Sequence, residues 1–174
     1  MLRKIGMIAV LSLIVVALTA SVALAGHRTG HGQAGGTGNP HFVGEPQITQ
    51  PAANQVRAVG SIAGVGSSLV TVQLTVFAFQ EVECRNPGGK VAPGQTETFP
   101  AGTETQEIQP EAGRANFDLT VTATGLQPDD PRLQAACPNQ KWTAEPGDVV
   151  VTGFLLEFFQ AGQELTQLER SGTF

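Results

Sequence analysis

The chain has 174 residues and a mass of 18.1 kDa, room for one domain, with ten Lys and Arg against fifteen Asp and Glu, a net charge of -5 and a pI near 5.1. No Lys/Arg cluster relieves that acidity, so the chain lacks the basic face with which nucleic-acid binders displace counterions from phosphate. Two cysteines are too few for a four-ligand zinc site or a disulfide-dense miniprotein.

Met1-Leu2-Arg3-Lys4 is a short basic start, an apolar run follows from Ile5 to about Ala20, and Ala23-Leu24-Ala25 has the small-x-small form of a signal-peptidase site. The pattern predicts a signal peptide over residues 1–25, cleaved before Gly26. The competing use is an uncleaved anchor, because the apolar stretch approaches the ~20 residues that span a bilayer. No Cys follows the run, so a lipid-modified N-terminus is not expected. Cleavage would leave 149 residues with eight basic and fifteen acidic groups, net -7, secreted or associated with the cell envelope and no longer membrane-bound. A domain of that length buries roughly 70% of its unfolded surface and needs neither a metal nor several disulfides to fold.

Residues 26–51 carry seven glycines between Gly26 and Gln50 and little to bury, which predicts a flexible Gly/His-rich segment ahead of a single β domain over residues 52–174. Gln55 to Ala63 reads as a weak strand, expected to pair through the Gly64-Val65-Gly66-Ser67-Ser68 turn with the clearest element of the chain, Leu69 to Cys84. There Val70, Val72, Leu74, Val76, Ala78, Val82 and Cys84 hold one face, and Thr, Gln and Glu most of the other. Ala115, Phe117, Leu119, Val121 and Ala123 mark another clean alternation, joined by Glu111-Ala112-Gly113-Arg114 to a strand around Thr103 to Gln109. Trp142 to Ala144 suggests a short edge strand ended by a Pro146-Gly147 turn; Val149 to Gln160 is a long apolar strand, turned by Ala161-Gly162 into Gln163 to Arg170. Six to seven short strands without βαβ alternation predict an all-β fold, an antiparallel sandwich of immunoglobulin-like architecture or a small barrel.

In an exported chain with an even cysteine count, Cys84 and Cys137 are expected to form a disulfide. Closing a loop of about 53 residues is worth about 4 kcal/mol on the chain-entropy account. The widely separated pair lacks the C-x-x-C spacing of a redox-active site.

Cys84-Arg85-Asn86-Pro87-Gly88-Gly89-Lys90-Val91-Ala92-Pro93-Gly94-Gln95, followed by Cys137-Pro138-Asn139-Gln140-Lys141-Trp142, resembles a group of small exported bacterial proteins, common in actinobacteria, with a C-x-N-P-G-G-x-x-A-P-G-Q … C-P-N-x-x-W pattern. The resemblance covers about residues 65 to 170. It implies secretion and paired cysteines and supplies no catalytic residues. Arg85 and Lys90 make this chain's loop more basic than the group's. Read on its own residues, the loop is a run of tight turns, most simply a rigid connection between sheets. As a recognition loop it would present Arg85, Asn86, Lys90 and Gln95 on a stiff backbone. Trp142 is expected to pack against the disulfide.

His27, His31 and His41 all fall in the flexible segment, and none of Ser61, Ser67, Ser68 and Ser171 stands in a G-x-S-x-G elbow, which argues against Ser-His-Asp catalysis. A Gly26 amine with His27 and His31 is a conceivable Cu(II) or Zn(II) chelate, and Asp129-Asp130 with Asp148 a conceivable Ca²⁺ site; turn residues and a solvated tail are the simpler readings, and no cofactor or metal is expected. Glu81 and Glu83 share the outer face of their strand, where solvated charges explain them better than a glycosidase pair.

Phe77 and Phe79 interrupt the polar face of the first strand, and Val149 to Phe159 is apolar on both faces, with Phe154, Leu156 and Phe158 on one and Val149, Val151, Leu155 and Phe159 on the other. Either both faces of this sheet are covered, or Phe77, Phe79 and Phe159 form an apolar patch for a protein partner or a second copy. The function expected is a non-enzymatic secreted structural or interaction module. The alternatives are a carrier of small apolar ligands, with a Phe-lined pocket, and a carboxylate hydrolase, with acids converging across a groove.

Overall fold

The computed structural model describes residues 38–174, so the expected signal peptide, His27, His31 and most of the Gly/His-rich segment lie outside the described residues. Ten strands, one short helix and one 3-10 turn follow in the order β1 (His41–Phe42), β2 (Gln47–Ala52), β3 (Gln55–Ala63), β4 (Val70–Arg85), β5 (Val91–Gln95), β6 (Phe99–Ile108), β7 (Arg114–Thr122), α1 (Pro131–Ala135), β8 (Thr143–Gln160), β9 (Gln163–Glu164), η1 (Thr166–Leu168) and β10 (Arg170–Thr173). All pairings are antiparallel. They make two sheets: β1 and β2 flank one side of β3 and β7 the other, while β9 and β10 flank β8, β8 pairs with β4, and β5 and β6 share the far side of β4. This is an antiparallel sandwich, not a closed barrel.

The smaller sheet is set by matched sizes. Across β3 and β7, Ala58 stands opposite Leu119, Gly60 opposite Phe117 and Ile62 opposite Ala115, so each bulky core side chain has a small partner. A Cβ on Gly60 would lie 2.5 Å from the Phe117 ring. Phe117 meets Phe158 of the larger sheet edge-on at 5.3 Å, and Phe42 meets Phe158 at 5.5 Å. Phe42 and Ile48 are the reason that residues 41–51, expected to belong to the flexible segment, enter β1 and β2: both pack on the core, and their strands complete the edge of β3.

Other expectations change in pairing more than in position. β3 does not pair with β4; the Gly64–Ser68 link crosses between sheets, its Val65 fully buried, and the Gln160 amide donates to the Val65 and Ser68 carbonyls. β6 and β7 leave a two-residue turn, with Ala112 and Gly113 both at positive φ and Glu111 and Arg114 exchanging backbone bonds, then diverge into opposite sheets. Trp142–Ala144 is not a separate strand ended by Pro146-Gly147. β8 runs unbroken from Thr143, and Gly147-Asp148 forms a bulge opposite Glu81, where the register shifts between Gln80 and Val82. The segment after Ala161-Gly162 is β9, η1 and β10 instead of one strand.

β4 and β8 outrun the smaller sheet, and the segment between β7 and β8 covers their overhang. Val82 and Cys84 there pack with Leu133 and Cys137, bordered by Leu126 and Trp142, and the expected Cys84–Cys137 disulfide ties the cover down. Gln80 sits at the joint between the two cores, 4% exposed: its Nε2 donates to the Gly147 carbonyl (3.1 Å), its Oε1 accepts from the Leu126 N–H (2.8 Å), and its backbone exchanges bonds with Thr96.

Replacing both cysteines by alanine is expected to cost about 2–4 kcal/mol in denaturant unfolding, with hydrogen exchange rising over residues 126–142 and little over β3 and β7. Gln80→Leu keeps the volume but orphans the Leu126 N–H and the Gly147 carbonyl, so urea unfolding is expected to show a loss of about 1–3 kcal/mol.

Candidate functional site

Strict alternation along β4 sends the even-numbered residues from Val70 to Cys84 inward and Phe77, Phe79, Glu81 and Glu83 outward. The facing side chains of β8 follow from its two register shifts. The first, at Thr152, moves Val149 and Val151 to the core face with Phe154, Leu156 and Phe158, and turns Val150 outward with Leu155 and Phe159. The expected division of faces is thereby corrected, because an extra residue in a strand exchanges its faces beyond that point.

Outward, Phe79 stands opposite Val150, Phe77 opposite Gly153 and Leu155 opposite Thr75. Phe79, Val150 and Leu155 are partly exposed, as Phe77 is, and none of the four belongs to either hydrophobic core among the described residues. Phe159 lies elsewhere. It faces Thr71, six residues up β4 and ~20 Å from the level of Phe77, with the Gln73–Glu157 hydrogen bond (3.2 Å) between. The expected patch is therefore Phe77 and Phe79 with Val150 and Leu155, and Phe159 is not part of it.

Below Phe79 the same face hollows into a groove of about 810 Å³. Glu81 and Glu83 of β4, Val91, Pro93 and Gln95 of β5, and Asp148 from the β8 bulge line it. The bulge is what delivers Asp148, since the added residue lifts the chain beside Glu81, and Gly147 is held there from the core side by Gln80. Arg85 bonds Glu83 at 2.6 Å and approaches Glu145 at 3.5 Å. Glu81 and Asp148 have no cationic partner among the described residues, and both are exposed, as is Val91 at 50%. The groove is open, acidic and partly apolar, with no Phe in its lining, unlike the pocket expected of an apolar-ligand carrier.

The four recognition-loop candidates separate. Asn86 to Lys90 closes a hairpin within one sheet, not a link between sheets, with the Lys90 N–H on the Asn86 side-chain oxygen (2.9 Å) and Gly89 at φ 78°. Asn86 is thus spent on the turn and Arg85 on carboxylates. Lys90 is exposed at the tip, and Gln95, at the other end of β5, faces the groove. Ala92-Pro93-Gly94 is strand, not turn: Gly94 lies under the cover segment, where a Cβ would come within 2.5 Å of the Ala136 carbonyl oxygen. Trp142 packs on the disulfide cluster as expected.

Asp130 is the N-cap of α1, accepting from the Arg132 backbone N–H (2.9 Å) and guanidinium (2.7 Å), with Pro131 in the first turn. Among the described residues no three His, Cys, Asp or Glu side chains are placed to hold a metal. His41 Nδ1 lies 2.8 Å from the Asn39 carbonyl oxygen. The chain matches no family model, no curated protein and no solved structure.

The sequence singled out Glu81, Glu83, Gln95 and Asp148 separately and in other roles, and it did not gather them with Val91 and Pro93 into one site. Only the bulge and the β4–β5 register bring them together.

The Arg132 side-chain and backbone bonds hold the Asp130 carboxyl down to about 2. A lowered folded pKa makes the cap's contribution complete above the unfolded value of about 3.9 and lost as pH falls through the folded one. Carboxyl NMR titration is expected to place Asp130 at about 2, with the Arg132 amide resonance moving in step through the same midpoint.

Proposed function

We propose that this chain is an exported, non-enzymatic β-sandwich that works as an interaction module in the cell envelope or the medium. The observation that carries the reading is the outward placement of Phe77, Phe79, Val150 and Leu155 on a sheet whose other face is already the core. Apolar side chains grouped in that way are the usual mark of a surface that meets a partner. Export is supported by the Met1–Ala25 pattern and by an oxidised Cys84–Cys137 pair, which persists in oxidising compartments. No helix among the described residues is long and apolar enough to cross a membrane. Membership in the exported group with the C-x-N-P-G-G pattern belongs to the same reading. The carrier alternative loses support, because Phe42, Phe117 and Phe158 fill the space between the sheets with their own edge-to-face contacts.

A hydrolase reading keeps one specific observation, the gathering of Glu81, Glu83 and Asp148 at one concavity. Against it stands their exposure to water, since a general acid needs a site shielded enough to keep its proton at working pH. Turnover of chromogenic glycosides or esters, lost in Glu81→Gln, would move the assignment to that class.

For the interaction module, the purified wild-type chain is expected to self-associate in analytical ultracentrifugation or to co-sediment with bacterial envelopes, and the Phe77→Ser/Phe79→Ser double variant to lose that association at least tenfold. The variant's thermal unfolding should stay close to wild type, because neither ring belongs to the core. A wild-type chain that remains monomeric and unbound in both measurements overturns the reading.

A further inference from the structure

We propose that the groove beside β5 receives an extended, cationic polypeptide segment of a partner protein, its Lys or Arg side chains reaching Glu81, Glu83 and Asp148 and its apolar side chains lying on Val91 and Pro93. The proposal rests on the interaction-module reading and names the chemistry of the partner.

Three observations carry it. The first is charge. Four carboxylates, Glu81, Glu83, Glu145 and Asp148, stand at this end of the sheet, and Arg85 is the one cation within ion-pair distance of any of them among the described residues. An approaching anion is repelled, whereas a cation gains potential from all four. The second is spacing. Glu81 and Glu83 are alternate residues on one face of β4, so their side chains repeat at ~6.8 Å, the repeat of alternate side chains in an extended peptide laid along the strand. Successive Lys residues at positions i and i+2 of such a peptide match that repeat. The third is the apolar floor. Val91 is 50% exposed on an edge strand, Pro93 lies beside it, and Phe79 and Val150 continue the apolar surface just above. The volume of about 810 Å³ lies within the range of built binding sites. The bulge at Gly147-Asp148 adds a carboxylate to the wall opposite β5, the kind of re-aimed side chain that bulges supply beside binding sites.

The test uses the full chain and two fluorescein-labelled hexapeptides, acetyl-Lys-Thr-Lys-Val-Lys-Thr-amide and its counterpart with Glu in place of each Lys. Fluorescence anisotropy is expected to show saturable binding of the Lys peptide alone, weakening at least fivefold between 50 and 300 mM salt on the scale of ordinary screening. Glu81→Gln/Asp148→Asn should lower its affinity about tenfold with no change in melting temperature beyond a degree or two, both side chains being exposed. Amide resonances of Gln95 and Gly147 should shift on titration. Equal binding of the two peptides, or undiminished binding by the double variant, overturns the proposal. Failure of the Lys peptide to bind, while Phe77→Ser/Phe79→Ser still abolishes self-association or envelope association, removes the groove assignment and leaves the interaction module standing. Failure of both removes both.

Discussion

The two sheets differ in length, and the rest of the molecule is a response to that difference. β4 and β8 have 16 and 18 residues against nine in each of β3 and β7, so roughly 55 Å of strand faces about 30 Å. Beyond Gln80 the inward side chains of β4, Val82 and Cys84, have no opposing sheet to meet. The chain between β7 and β8 covers them with Leu126, Leu133 and Trp142. A helix of five residues cannot hold such a cover by itself, since isolated helices of that length do not persist in water. The disulfide supplies the missing constraint, and it does so where the apolar cluster is smallest. Gln80 serves the same junction with polar contacts. One amide group bonds the first residues of the cover on one side and the β8 bulge on the other, while Thr96 takes the Gln80 backbone where β5 gives way to β6.

The same overhang decides what the outer face can be. Over the upper part of the sheet, Thr75 with Thr103 and Gln73 with Glu157 make a solvated surface of hydrogen-bonded polar pairs. Over the lower part, where Leu155 already lies beside Phe77, the Thr152 and Gly147-Asp148 bulges re-phase β8 twice, first turning Val150 out beside Phe79, then lifting Asp148 beside Glu81. A bulge costs a ladder hydrogen bond and increases local twist. Here the cost falls on the strand pair with the most pairing to spare, and the result is a concave, acidic surface directly behind the disulfide-bound cover.

Much of this could be read from residue order, and the part that could not has a physical cause. The period-two runs of β4 and β7 are unambiguous, because each has one face in the core and one in water. Their pairing was less legible. A short turn between two strands normally means a hairpin, yet the Gly64–Ser68 link and the Glu111–Arg114 turn both feed opposite sheets, a distinction that depends on tertiary contacts such as Gln160 with Val65. β1 is not legible in the sequence, because two residues carry no period and Phe42 is anchored by partners far away in sequence, Phe158 and the Arg170 guanidinium 4.5 Å above its ring. Pro146-Gly147 and Ala92-Pro93-Gly94 have turn composition but sit in strands. Pro is tolerated at a bulge or edge where no ladder donor is required, and local composition does not reveal which role it takes.

The candidate site was legible in its chemistry and not in its membership. Glu81, Glu83, Phe77 and Phe79 follow from the outward phase of one strand, which the sequence states. Val150 and Asp148 reach the same surface through register shifts, and each shift exchanges the faces of every residue beyond it. An apolar run such as Val149–Phe159 cannot show where the shift falls, because both of its faces are hydrophobic and either phase would bury about as much. Structure settles the phase through a packing constraint: Val76 must meet Phe154, and Ala78 must meet Val151, for the inner face to stay filled. The outer surface is thus fixed by the demands of the inner one, and the apolar residues it carries are those left over once the core is satisfied.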